Sequence, residues 1–100
     1  MPLTNNLYTI TCKTDSSIDI LLADENHPVF AAHFPKLPIL PSFLQLEIAS
    51  EIFDIKITEI KKAKFIKTII PQNKITFKKN NNKIIIESEE KIKISEIIYE

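Results

Sequence analysis

The chain has 100 residues, which is enough for one hydrophobic core, and we predict a single domain over residues 1–100. Formal charge is balanced at zero, with no Arg and no Gly, so a glycine-rich phosphate loop is excluded and bidentate phosphate recognition is disfavoured. The single Cys12 excludes an internal disulfide framework. No signal peptide or membrane-spanning run is recognisable, so we expect a cytoplasmic protein without membrane insertion.

The first half predicts two strands, a stiff loop and a buried helix. Residues 8–14 and 17–23 have strand composition, and Cys12 is expected to be a core thiol. Four prolines in residues 28–41 predict an ordered loop that is neither a helix nor a central strand. Ser42 is the predicted N-cap of a helix, with Gln45 completing a capping box. Apolar residues surround most of this helix, which therefore predicts burial.

The second half predicts four strands, at residues 59–67, 74–79, 83–87 and 91–99, with Phe65 and Phe77 at core positions. The element order predicts an α+β fold in which an antiparallel sheet wraps around one central helix. Residues 55–83 carry a net charge of +8, from nine Lys and Glu59. This segment is either a solvated strand surface or a docking patch for an acidic partner. Nucleic acid is not expected, because Arg is absent.

Candidate chemistry is concentrated between His27 and Glu47. His33 lies in the proline-stiffened loop and can move a proton near neutral pH. Glu47 lies on the helix that follows, where partial burial would suit a general acid. Amides at the start of that helix can stabilise a developing oxyanion. A metal site from His27, His33 and Glu47 lacks ligand spacing, so no metal is predicted.

The stretch from Ala32 to Glu47 resembles the signature of β-hydroxyacyl-thioester dehydratases, the FabA/FabZ-like hotdog-fold family. That signature reads Gly-His-Phe-Pro-Gly-x-Pro-x-x-Pro-Gly-x-x-x-x-Glu, and the His, Phe, three Pro and Glu recur here at the same spacing. Residues 60–71 resemble a later strand of the family, and the element order fits the whole chain. In its short length, the chain is most similar to the compact dehydratase-like members that are associated with aryl-polyene and other specialised acyl pathways.

The resemblance implies a hotdog homodimer whose sheets join edge to edge, with a higher homo-oligomer as the alternative. It implies elimination of water from a 3-hydroxyacyl thioester on acyl carrier protein or CoA, in fatty acid or related acyl-chain synthesis, with the trans-2-enoyl thioester as product. No cofactor beyond the substrate's own phosphopantetheine is implied. The implied residues are the catalytic His33 and Glu47, the thioester-binding Ser42, Phe43 and Leu44, and the motif-loop Phe34, Pro35, Pro38 and Pro41. The Lys-rich segment, independently of the resemblance, predicts a docking surface for an acidic acyl carrier protein, with Lys61, Lys62, Lys64 and Lys67 as first candidates. Adjacent strand residues face opposite sides, so we expect these lysines not to share one surface entirely.

Three departures from the signature keep two alternatives open. Ala32, Lys36 and Ser42 replace its glycines, and Ser42 adds a side chain where the thioester would approach the helix start. As an N-cap, Ser42 would occupy the Gln45 amide and leave those of Phe43 and Leu44 available. One alternative is a weak or inactive homologue that binds acyl carriers. The other is a hotdog thioesterase, which would use the carboxylate to activate water.

Overall fold

The computed structural model describes residues 4–32, 36 and 38–100. Its strands are β1 (Tyr8–Lys13), β2 (Ser17–Leu22), β3 (Ile60–Phe65), β4 (Lys74–Asn80), β5 (Lys83–Ser88) and β6 (Lys93–Tyr99). They form one sheet in the order β1-β2-β4-β5-β6-β3, and every neighbouring pair is antiparallel. The predicted strands are therefore all present, with ends that differ by one or two residues.

Two helices interrupt the strand order between β2 and β3. The first, α1 (Pro28–Ala32), falls where the prolines predicted no helix, so that part of the prediction is wrong. Proline is tolerated in the first turn of a helix, where its missing N–H needs no partner. The second, α2 (Ser42–Ile52), is the predicted long helix. No helix in the described part of the chain is long and apolar enough to cross a membrane.

The core lies between α2 and one face of the sheet. Alternation along β2, β4 and β5 sends every second residue inward, as the period-2 geometry of a strand requires. From α2, Leu44, Ile48 and Ala49 are fully buried against this face. The inward residues of the central strands are also nearly inaccessible: Ile18, Ile20, Ile75, Phe77, Ile84, Ile86 and Ile97.

The two edge strands, β1 and β3, are much more exposed than the sequence predicts. Cys12 is exposed because β1 borders only β2, so the prediction of a core thiol is wrong. Phe77 is buried as predicted, whereas Phe65 is 43% exposed on β3, which pairs only with β6. Every residue of β3 is exposed. An unpaired strand edge of this kind offers backbone donors and acceptors to another chain.

Candidate active site

The predicted site surrounds the N-terminal end of α2. Of its residues, His33, Phe34 and Pro35 lie outside the described part of the chain. Pro38 and Pro41 are both half-buried in the segment that leads into α2. The Leu40 amide donates to the carbonyl of Ile69 at 2.7 Å, which ties this segment to the loop before β4. Leu40 itself is buried, so the entry to α2 is fixed by both packing and hydrogen bonding.

His27 stabilises the turn that precedes this segment. Its Nδ1 accepts from the Val29 amide at 3.1 Å, at the start of α1. Its Nε2 lies 2.7 Å from the Asn5 carbonyl and donates to it in the tautomer with the proton on Nε2. Both ring nitrogens of His27 are therefore hydrogen-bonded within the fold, and these bonds explain His27 as a structural residue.

The start of α2 differs from the predicted capping box. Pro41, with φ −60° and ψ 147°, is the N-cap, and within the described part of the chain no side-chain hydrogen bond caps the helix. Ser42 is instead the first helical residue, and it is exposed. The Leu44 amide donates to the Pro41 carbonyl at 3.1 Å, so the expectation of an available Leu44 amide is wrong. Fixed φ makes proline suitable for this extended position, which is why it displaces Ser42 from the cap.

Glu47 lies one turn into α2 and is half-buried. Among the residues that the structure describes, its carboxylate makes no hydrogen bond or ion pair; only its backbone carbonyl accepts, from Ser50 Oγ at 2.8 Å. A half-buried carboxylate without a protein partner is available to a ligand.

Glu51, one turn further along α2, is in a different situation. Its Oε2 accepts from Thr4 Oγ1 at 2.6 Å, and its Oε1 accepts from the Tyr8 hydroxyl at 2.8 Å. Burial, followed by this hydrogen bond and the Glu51 charge, raises the pKa of Tyr8 well above its usual range. Glu51 therefore connects α2 to the N-terminal segment and β1, a role that the sequence pattern did not reveal.

The opposite side of α2 carries a second polar connection. Ser95 Oγ, on β6, donates to Gln45 Oε1 at 2.7 Å, and both side chains are buried. Gln45 was predicted to reach back to the helix start, and this prediction is wrong because its side chain points to the sheet. A glutamine in an apolar helix is the only sequence signal for such a pair.

The predicted docking lysines divide into two groups. Lys61 lies 3.0 Å from both Glu59 and Glu100, and these carboxylates raise its pKa. Lys62, Lys64 and Lys67 are exposed and make no ion pair with any described residue. Lys62 pairs with Ile98 and Lys64 with Glu96 in the β3–β6 register, so both belong to the outer face of the sheet. Among the residues that the structure describes, these three lysines on and just beyond β3 therefore have no carboxylate partner.

Solved structures confirm the class of fold. The chain has a TM-score of 0.70 with the dehydratase heterocomplex ApeI:P from Xenorhabdus doucetiae, at 16% identity over 92% of each chain. A protein from Erwinia carotovora subsp. atroseptica gives 0.62, at 19% identity over 94% of each chain. A hypothetical thioesterase from Streptococcus pneumoniae gives 0.53, at 9% identity, over 92% of this chain and 86% of that one. At these identities the likeness shows the hotdog fold.

The family follows from the sequence itself. Residues 10–95 match the model of the ApeI-like family, described as ApeI dehydratase. The match covers most of the chain, including the segment from Ala32 to Glu47, so this protein belongs to the ApeI-like dehydratase family. No curated protein matches the sequence. The prediction that the chain belongs to a hotdog-fold, dehydratase-like family is thus confirmed.

Proposed function

We propose that the protein eliminates water from a 3-hydroxyacyl thioester to give the trans-2-enoyl thioester. The observation that carries this proposal is the half-buried carboxylate of Glu47, one turn into the central helix of an ApeI-like fold, which has no hydrogen-bond or ion-pair partner among the described residues. An elimination of this type needs a base at C2 and an acid at the hydroxyl on C3. The signature supplies one titratable group for each task, His33 and Glu47.

In the proposed reaction, His33 accepts the proton from C2. The electron pair left on C2 forms the new double bond to C3. Glu47 donates a proton to the C3 hydroxyl as the C–O bond breaks, and one molecule of water leaves. The proton held by His33 then returns to Glu47 through solvent, which restores both groups. Neither metal nor redox cofactor is required, because the substrate brings its own phosphopantetheine arm.

The thioester oxygen gains negative charge when the C2 proton is removed. We assign it to the exposed first turn of α2, at the Ser42 amide. The N-terminus of a helix favours negative charge, and preorganised backbone donors are effective in such sites. The Leu44 amide is left out of this assignment because it already donates to Pro41.

We propose that two copies of the chain share the site, with Glu47 of one copy facing His33 of the other. β3 supports this arrangement because one of its two edges is unpaired and three large exposed apolar residues lie on or beside it, Ile60, Phe65 and Ile66. Covering such an edge with a second strand satisfies backbone groups and buries apolar area. The X. doucetiae relative is a heterocomplex, so association with a different chain is the alternative that native mass spectrometry distinguishes.

We propose acyl carrier protein as the substrate's carrier, with CoA thioesters as the alternative. Lys62, Lys64 and Lys67 support this because they are exposed cations with no ion-pair partner among the described residues, and an acidic carrier would be attracted to them. Lys61 contributes less in this account, since Glu59 and Glu100 already balance its charge.

The test is an assay of purified protein with 3-hydroxyacyl thioesters of several chain lengths, analysed by mass spectrometry. The proposal predicts an enoyl thioester that is lighter by one water. A hotdog thioesterase, in which the Glu47 carboxylate activates water, would instead release a free thiol and a 3-hydroxy acid. Absence of any product at every chain length would refute both activities and favour a homologue that only binds acyl carriers.

A further inference from the structure

The central helix is held by apolar packing on most of its buried side. Leu44, Ile48, Ala49 and Ile52 all pack into the core against the sheet. Apolar contact is strong but has little directional preference, so by itself it fixes the depth of a helix better than its rotation or axial position. The buried hydrogen bond between Gln45 and Ser95 is a directional contact within this surface.

Gln45 and Glu47 are two residues apart on α2. Because each residue turns an α-helix by ~100°, their side chains leave the axis ~200° apart. Gln45 is buried against β6, and Glu47 accordingly is turned away from that strand and remains half-buried. The rotation that keeps Gln45 on Ser95 is thus the rotation that sets the direction of Glu47.

We propose that Gln45, through its hydrogen bond to Ser95, is a positioning residue that fixes the rotation of α2 and thereby the place of the Glu47 carboxylate. The inference rests on the proposed function only in assigning that carboxylate a catalytic task. Ser95 is suited to this role because it lies on β6, beside Phe65 of β3 and Ile86 of β5, within a hydrogen-bonded sheet.

A structural role alone makes a different prediction from a positioning role. Removing one partner of a buried hydrogen bond leaves the other unsatisfied, which destabilises any fold. Replacing both partners by apolar side chains can be almost neutral for stability, since no buried polar group is left over. A positioning role is therefore revealed by a double variant that regains stability without regaining activity.

The experiment compares Gln45→Leu, Ser95→Ala and the double variant with the wild type. We expect each single variant to unfold at lower urea concentration and the double variant to recover most of the difference. We expect kcat of the double variant to remain lower by about tenfold or more, with KM changed by less than about threefold. A double variant with wild-type kcat would overturn the proposal.

The matched control removes another side-chain hydrogen bond, from Thr76 Oγ1 to Asp19 Oδ1 at 2.7 Å, which links β4 to β2 away from α2. Asp19→Asn combined with Thr76→Val should leave kcat within about twofold of the wild type. An equal loss of kcat in this control would also overturn the proposal, because it would show that removing a side-chain hydrogen bond elsewhere in the fold lowers kcat as much as removing the one that holds α2.

Amide hydrogen exchange supplies a readout that does not need turnover. Exchange at Glu47 and Ile48 should be faster in the Gln45→Leu/Ser95→Ala protein by about tenfold or more and unchanged in the control. If the wild type converts no thioester, the proposed function fails on that result alone. Amide exchange still tests whether the Gln45–Ser95 hydrogen bond positions α2, and equal exchange rates in the wild type and the double variant would refute that claim.

Discussion

Tyr8→Phe tests the connection between β1 and the central helix. The substitution removes one hydroxyl and the 2.8 Å hydrogen bond that it donates to Glu51. A hydrogen bond to a charged group contributes about 1.5–3 kcal/mol, but Tyr8 is only half-buried, and Thr4 still donates to the same carboxylate. We therefore expect a loss of about 1 kcal/mol, which lowers the Tm of a domain of this size by about 4–8 °C.

The matched control is Tyr99→Phe. The Tyr99 hydroxyl donates to the uncharged Asn81 carbonyl at 3.2 Å, a longer and weaker bond, so about 0.5 kcal/mol or less should be lost. Urea unfolding of the three proteins at pH 7 measures both differences. Equal losses for the two substitutions would refute the argument that the Glu51 charge makes the Tyr8 bond the stronger one.

The raised pKa of Tyr8 adds a dependence on pH. An unfolded tyrosine ionises near pH 10, whereas folded Tyr8 keeps its proton to higher pH, so the unfolded state binds fewer protons above pH 10. The stability from Tyr8 is present below pH 10 and is lost as pH rises toward its folded pKa. Phenylalanine does not ionise, so the difference between wild type and Tyr8→Phe should narrow between pH 9 and pH 11. A constant difference would contradict this assignment.

Three further predictions concern turnover, docking and the core. Ser42→Gly should raise turnover by about two- to tenfold in steady-state assays, because it removes a side chain from the proposed thioester-binding turn; unchanged or lower turnover would contradict that placement. Lys62→Glu should weaken carrier binding in calorimetry more than Lys61→Glu does, and more so at low salt; equal effects would refute the distinction between paired and unpaired lysines. Ile86→Ala should cost about 2–5 kcal/mol in urea unfolding, since the side chain is fully buried, and a loss below 1 kcal/mol would contradict the described core.

The strand pattern predicts the sheet well because alternation is a local signal. Ile75 and Phe77 on β4, and Ile84 and Ile86 on β5, alternate with exposed or half-buried neighbours and are all buried as their spacing requires. Pairing order is not local, so the sequence did not identify β1 and β3 as edges. Because β1 was not identified as an edge strand, Cys12 was wrongly predicted to be buried in the core.

The start of α2 illustrates a competition that composition cannot resolve. Ser42 and Gln45 have the spacing of a capping box, yet Pro41 takes the cap and Gln45 bonds to Ser95, 50 residues away. A tertiary contact that satisfies a buried amide outweighs a local cap. The Thr4–Glu51–Tyr8 cluster was missed for the same reason, since Glu51 lies 47 residues from Thr4 and 43 from Tyr8 along the chain.

The central claim is that Glu47 delivers the proton that allows water to leave. Its most direct test is the turnover of a 3-hydroxyacyl thioester by the wild type and by Glu47→Gln, which keeps the shape of the side chain and removes its acidity. The account predicts conversion to the enoyl thioester by the wild type and a loss of kcat of about a hundredfold or more in the variant, at unchanged unfolding free energy. Equal turnover by the two proteins would contradict it.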